Sequence, residues 1–239
     1  MKAAHHVTII MGASGGLGSA VRCKFGDANH FTYNDIINWS QDQGVSLNVR
    51  ASVERAAVRL KLDHCIVTRI INCAGVNAIA RFDAVSLEQA QRIYQTNALA
   101  LPLVVQVLRK GGILAKGAVI CNVISNAAHI PMSHSLMYNA SKAAQEMITR
   151  QMARELKEYS IFGVNPNKLA GTGMSAEIDG AVMKLRGWSR KQARAYQLAA
   201  LPAGVETPPD SLAQFIVELM RGEHHPYITG CIFPYGGPQ

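Results

Sequence analysis

Along the chain, short runs of apolar and mostly β-branched residues alternate with longer stretches whose apolar positions recur every three to four residues. The runs Val7–Met11, Ile66–Asn72, Ala118–Ile124, Ile161–Asn165 and Ile228–Phe233 read as strands, with His30–Asn34 as a short second strand. Helical spacing runs through Arg22 to Phe25 and over Ser52–Leu62, where Ser52 is the expected N-cap. It continues over Leu87 to Leu108, with a kink expected at Pro102, and over Met137–Tyr159, which contains neither Gly nor Pro. Alternation of this kind predicts an α/β fold, a doubly wound parallel sheet in a three-layer α/β/α arrangement. Right-handed crossovers then place ligands at the carboxyl ends of the strands. No repeat, charged block or linker divides the sequence, so 1–239 is expected to form one domain.

Composition narrows the class. A hydrophobic share of 49% excludes an intrinsically disordered chain. The longest apolar stretch, Ala98 to Val105, is interrupted by Pro102 and is far shorter than the ~20 residues of a membrane span. Met1-Lys2 runs almost directly into Val7–Met11 without the pattern of a signal peptide, and a cytoplasmic location is expected. Five scattered cysteines, without a CxxC, give neither a disulfide framework nor a zinc site, so no metal is expected and the thiols should be reduced and mostly buried. The net charge of +8 is spread along the chain with no basic run of five, so neither nucleic acid nor a membrane is an expected partner.

The first strand leads directly into Gly12-Ala-Ser-Gly-Gly-Leu-Gly18, which opens a helix. Glycines at 12, 16 and 18 allow a tight turn and close approach of backbone to a pyrophosphate lying on the helix N-terminus, the arrangement of a Rossmann-type dinucleotide-binding domain. Ser14, Gly15 and Leu17 complete the candidate cofactor loop. The bland alternative is a loop whose glycines serve only its own conformation. An acid about 20 residues on, at the end of the second strand, would hold the adenosine ribose hydroxyls. Asp35, 17 residues after Gly18, is the best placed, with Asp27 and Asp42 nearby. No basic residue precedes Gly15 or Gly16 to grip a 2′-phosphate, which favours NAD(H) over NADP(H).

Tyr138 and Lys142 stand four apart at the start of the long helix and so share one face. Ser125 ends the preceding strand, 13 residues before Tyr138. An ammonium one turn away favours the phenolate, fitting the tyrosine to exchange a proton with a substrate oxygen. A serine hydroxyl on the same oxygen would orient it and stabilise developing charge. Alone, a Tyr-x-x-x-Lys pair is usually an exposed surface pair; the glycine turn and the serine make the set specific.

On these residues the sequence resembles the short-chain dehydrogenase/reductase family in its single-domain form, over essentially its whole length. Asn72-Cys73-Ala74-Gly75 is similar to the family's Asn-Asn-Ala-Gly motif, with Cys73 replacing the second asparagine. Tyr94-Gln-Thr-Asn97 carries the asparagine that the family uses to hold a proton-relay water, and Tyr138-Asn-Ala-Ser-Lys142 matches its catalytic pattern. Ile228-Thr229-Gly230 and Tyr235-Gly236-Gly237 resemble the last strand and the glycine pair after it. The resemblance implies NAD(P)(H)-dependent interconversion of a secondary alcohol and a ketone. Tyr138 would be the acid/base, Lys142 would lower its pKa and bind the nicotinamide ribose, Ser125 would hold the substrate oxygen, and Asn97 would anchor the water chain. Asn72, Ala74 and Gly75, with Pro166, Leu169 and Thr172, would join the cofactor site, and a homotetramer or homodimer is expected.

Two segments depart from the family pattern. Pro166-Asn167 stands for Pro-Gly, with Asn suited to a positive φ, and the following threonine, Thr172, comes one place late. Asn48-Val49 stands where an acid commonly contacts adenine.

A lid over the substrate is expected at 174–201, carrying Lys184, Arg186, Trp188, Arg190, Lys191 and Arg194 against Glu177 and Asp179. This is either the mouth of a pocket for an anionic substrate or a solvated helix from Ser189 onward. Met132, Met137, Met174 and Met183 either line an apolar pocket or pack the core. His129 and His134 fall near the pocket as hydrogen-bonded or surface histidines. Two other activities suit the same scaffold: a dinucleotide-sensing regulatory protein, or a lyase or epimerase with bound NAD.

Overall fold

The computed structural model of the chain describes residues 4–26, 35–222 and 225–237. Among these, six strands form one parallel sheet: β1 (His5–Met11), β2 (Ile36–Trp39), β3 (Cys65–Asn72), β4 (Leu114–Val123), β5 (Ser160–Pro166) and β6 (Ile232–Tyr235). Their spatial order is β2-β1-β3-β4-β5-β6. From β1 the chain moves outward to β2, then crosses back to place β3 on the other side of β1. At that reversal the loops leaving β1 and β3 diverge and open a crevice beyond the carboxyl ends of the strands.

Nine helices among the described residues connect and cover the sheet: α1 (Gly16–Gly26), α2 (Arg50–Leu62), α3 (Leu87–Tyr94), α4 (Ala100–Lys110), α5 (Leu136–Glu155), α6 (Gly173–Arg186), α7 (Arg190–Ala199), α8 (Pro209–Arg221) and α9 (His225–Ile228). Successive strand residues point to opposite faces, so each face has its own core. Ile9 and Met11 pack with Val53 and Ala57 of α2 and with Val104 and Leu108 of α4. Ile10 packs with Val21 and Phe25 of α1 and with Leu212 and Ile216 of α8. The fold is the three-layer α/β/α sandwich that the alternation of elements predicts. No described helix is long and apolar enough to cross a membrane.

Several boundaries differ from the sequence pattern. His30–Asn34 lies outside the described residues, and the described edge strand begins at Ile36, which pairs with Thr8 of β1. Ile228 ends α9, and the last strand starts four residues later, after Gly230 turns the chain at φ +79°. The break in the Leu87–Leu108 segment falls before Pro102. A proline leaves the preceding turn without an i→i−4 donor, and here that turn is a π-turn over Gln95–Leu99, so the helix changes register instead of kinking. α2 starts at Arg50 with Val49 as N-cap; Ser52 lies inside the helix and accepts a hydrogen bond from the Ser46 amide at 3.0 Å. Cys65 and Cys121 are buried, whereas Cys23 and Cys231 are exposed.

Candidate active site

The crevice holds a cavity of about 890 Å³, walled by the β1–α1 turn, the ends of β3, β4 and β5, the start of α5, and the α6–α7 segment. The turn can take this shape only with glycine at two positions. Gly12 has φ +73°, and a Cβ there would lie 2.7 Å from the Ala74 Cα. A Cβ at Gly18 would lie 2.2 Å from the Gly12 carbonyl oxygen. Both glycines therefore shape the turn, while Ser14, Gly15, Gly16 and Leu17, with Gly18, line the cavity. The unpaired N–H groups that open α1 provide the positive end of a helix at this wall.

Asp35 is at the wrong end of the sheet for the ribose role. It immediately precedes β2, and its carboxylate meets His5 Nε2 at 2.6 Å, at the amino end of β1. The strand begins beyond the expected second strand, which carries Asp35 from its carboxyl end to its amino end. The acid beside the glycine turn is Asp42, just past the carboxyl end of β2. The nearby hydroxyls of Ser40 and Ser14 favour its charged form and hold its pKa below the usual carboxylate value.

Ala74 and Gly75 reach the cavity, but Asn72 is fully buried and does not. The Asn72 Oδ1 accepts from the Ala74 amide at 3.1 Å, and its Nδ2 donates to Asn122 Oδ1 at 2.9 Å. It fixes the segment after β3 rather than lining the site. Asn97, on the π-turn, is also fully buried. Its Oδ1 accepts from the Val76 amide at 2.8 Å, while Nδ2 donates to the Val76 carbonyl at 3.0 Å and to Ser141 Oγ at 2.9 Å. Both amide donors of Asn97 are thus committed to protein partners, tying the β3 loop to α5.

Ser125, just beyond β4, and Tyr138 and Lys142, in the first turns of α5, all line the cavity. Ser125 Oγ accepts from the Ala127 amide at 3.2 Å, donates to Asn126 Oδ1 at 3.3 Å, and stands on the same cavity wall as the Tyr138 phenol. Lys142 Nζ is 5.7 Å from the Tyr138 ring centre and donates to Gln145 Oε1 at 2.7 Å. Burial pushes the Tyr138 phenol up, opposed by Ser125. Burial also pushes the Lys142 ammonium down to about 7, opposed by the nearby Cys73 thiol. The net direction for the tyrosine is therefore upward, because its own desolvation outweighs the opposing Ser125 hydroxyl. Gln145, which no local motif flagged, links Lys142 to Asn122 through its Nε2 at 2.7 Å.

Pro166, Leu169 and Thr172 also line the cavity. The Thr172 hydroxyl caps α6, accepting from the Ser175 amide at 3.2 Å, and its methyl faces Gly16. Asn167 does not adopt positive φ; Gly171 does, at +63°. The Asn167 side chain instead receives the Asn126 amide at 2.6 Å. Met132 and Met174 reach the cavity, and Met137 and Met183 do not. His134 lines it with φ +65°, whereas His129 Nε2 meets the buried Glu146 carboxylate at 2.7 Å.

A family model described as short chain dehydrogenase matches residues 40–182, more than half of the chain. A 3beta-hydroxysteroid dehydrogenase 1 from Eggerthella lenta is 27% identical over 96% of this chain and 92% of its own. A sorbitol-6-phosphate 2-dehydrogenase from Klebsiella pneumoniae is 26% identical, covering 94% of this chain and 92% of its own. Among solved structures, L-sorbose reductase from Gluconobacter frateurii, complexed with NADPH and L-sorbose, superposes with a TM-score of 0.81. It is 19% identical, over 98% of this chain and 96% of that one.

Proposed function

The chain belongs to the short-chain dehydrogenase family and is an oxidoreductase acting on CH–OH groups with a nicotinamide cofactor; from that premise we propose that Tyr138 is its proton donor and acceptor, and that NAD(H) is preferred. The observation that carries this reading is the convergence of Ser125, Tyr138 and Lys142 on one cavity wall, with the Lys142 ammonium 5.7 Å from the centre of the Tyr138 ring.

The cavity suits a dinucleotide. The Ser14–Gly18 turn leaves no room for side chains at its tightest points, so backbone N–H groups are the contacts offered to a pyrophosphate. Asp42 would accept from adenosine ribose hydroxyls, and its negative charge disfavours a 2′-phosphate. Ala74, Gly75, Pro166 and Leu169 would flank the remainder of the cofactor, and Lys142 would donate to the nicotinamide ribose. The cofactor, when bound, supplies or accepts the hydride at the carbon that bears the reacting oxygen.

The chain's own residues handle the proton and the oxygen. Ser125 donates to the substrate oxygen and fixes it beside the Tyr138 Oη. The high pKa of the buried phenol keeps it protonated at neutral pH, so Tyr138 is poised to give a proton to a carbonyl oxygen. In the opposite direction it receives the alcohol proton. Asn97 and Gln145 act as positioning residues, holding the β3 loop and Lys142.

We read the chain as one catalytic domain whose α6–α7 segment covers the substrate, assembled as a homo-oligomer. The exposed apolar side chains Leu99, Leu136 and Met147 support the oligomer, and light scattering on a sizing column checks it. For the mechanism, Tyr138→Phe should lower kcat by about 10²- to 10⁴-fold while NADH binding, followed by cofactor fluorescence, stays within a few-fold. Retained turnover in that variant would overturn Tyr138 as the acid.

A further inference from the structure

The α6–α7 segment carries five basic residues, and the structure sorts them. Lys184, Arg190, Lys191 and Arg194 are exposed, as a solvated face requires, and Arg194 is paired with Glu206. Lys168, which also lines the cavity, is neutralised by Asp179 and by Glu206. Arg186 is different: half-buried, lining the cavity, and among the described residues paired with no carboxylate. Its guanidinium carbon lies 4.6 Å from the Trp188 ring centre and 4.8 Å from that of Tyr196, and the two rings meet edge to face at 5.2 Å. Aromatic faces hold a guanidinium by cation–π attraction without using its N–H donors. The donors at its edge remain available for a planar oxyanion, which guanidinium binds in a two-pronged fashion.

The face of α6 that carries Arg186 sets the rest of the ligand. Met174, Ile178, Val182 and Arg186 recur every four residues, and all four line the cavity. Twelve residues of helix span about 18 Å. This face therefore runs from Met174, two residues past Thr172, whose methyl meets Gly16 of the glycine turn, along an apolar stripe to a single clamped cation. Glu177 also lines the cavity, as an exposed side chain one turn from Met174 and more than two turns before Arg186. Arg92 reaches the cavity as an exposed side chain of α3.

We propose that Arg186 is the specificity-determining residue of the substrate site, and that the substrate is a ketone or secondary alcohol on an extended apolar body ending in an oxyanion. The proposal rests on the oxidoreductase reading for the reacting carbon but not for the anion site, so the two are tested separately. Binding of decanoate, decyl sulfate and decanol is measured by calorimetry on cofactor-free wild type, Arg186→Gln and Lys184→Gln. The two anions should bind about tenfold to a hundredfold more tightly than the alcohol. That preference should collapse in Arg186→Gln and persist in Lys184→Gln, whose exposed cation does not face the cavity. Tighter binding of decyl sulfate than decanoate would point to a sulfonate- or phosphate-bearing substrate, and the reverse to a carboxylate. Equal affinity for anion and alcohol in wild type, or a preference unchanged in Arg186→Gln, would overturn the anion site. Turnover of medium-chain keto acids against their methyl esters, with NADH, supplies the second arm. Reduction of acid and ester at equal kcat/KM would also overturn the anion site while leaving the oxidoreductase reading intact. Anion-selective binding with no turnover of any ketone would overturn the oxidoreductase reading and leave the anion site standing.

Discussion

At the scale of single residues, the cofactor end of the site turns on where one carboxylate stands. Asp42 has the hydroxyls of Ser40 and Ser14 beside it, favouring its charged form, and the second of these belongs to the turn that would hold the pyrophosphate. A group placed on the adenosine ribose by that turn must approach Asp42, and a 2′-phosphate would bring like charge against it. Asp42→Ala removes that repulsion, so NADPH affinity should rise about tenfold or more while NADH affinity falls through the lost hydroxyl contact. Paired fluorescence titrations read both at once. Wild-type protein binding NADPH as tightly as NADH would sink the preference and with it the role of Asp42. Asp35 illustrates why this residue was not legible in the sequence. Its spacing from Gly18 fits the ribose role, yet which end of a strand a residue occupies is decided by pairing with β1, and the pairing starts at Ile36.

At the scale of elements, the parts that local sequence specifies are the ones that matched. Ser125, Tyr138 and Lys142 come together because one strand end and one helix face carry them all, and four-residue spacing needs no tertiary information. The described edge strand, Ile36–Trp39, did not stand out because His-Phe-Thr-Tyr just before it has a composition equally suited to a half-buried strand. Asn97 and Gln145 gave no local signal of their packing duties, since their partners lie 21 and 23 residues away in sequence. The glycine turn was legible in kind but not in cause: a Cβ at Gly18 would collide with backbone at 2.2 Å, whereas one at Gly15 would meet the same oxygen at an ordinary 3.4 Å. Gly18→Ala should therefore cost about 1–3 kcal/mol, a fall in melting temperature of several degrees for a chain of this length, with loss of NADH binding. Gly15→Ala should leave the melting temperature nearly unchanged. Equal melting temperatures for the two variants would show that the turn relaxes in a way its close contacts do not suggest.

For the whole molecule, burying an ammonium inside a cavity makes stability depend on pH in a direction fixed by the sign of its shift. Lys142 has an ordinary value of 10.5 and is pushed down to about 7 by burial in the folded chain. Between those values the unfolded chain holds a proton that the folded chain has released, so unfolding takes up a proton and stability rises with pH. Above about 9 the opposite effect enters, because the Cys73 thiol is pushed up to about 12 by burial and Cys121 is raised as well. The folded chain then keeps protons that the unfolded chain releases, and stability falls. Cofactor-free protein should thus gain stability from pH 7 to about 9, by at most about 2.7 kcal/mol, two pH units of one proton, and lose it beyond. Urea unfolding across that range measures it, and Lys142→Met should abolish the rise while keeping the fall. A rise that survives in that variant would place its origin elsewhere. Saturating NADH provides the functional counterpart. If ribose hydroxyls accept from the Lys142 ammonium, they favour its charged form and return its pKa toward the ordinary range, so the rise from pH 7 should flatten in the complex. An equally steep rise with and without NADH would mean that the cofactor does not touch Lys142, whatever turnover the protein shows.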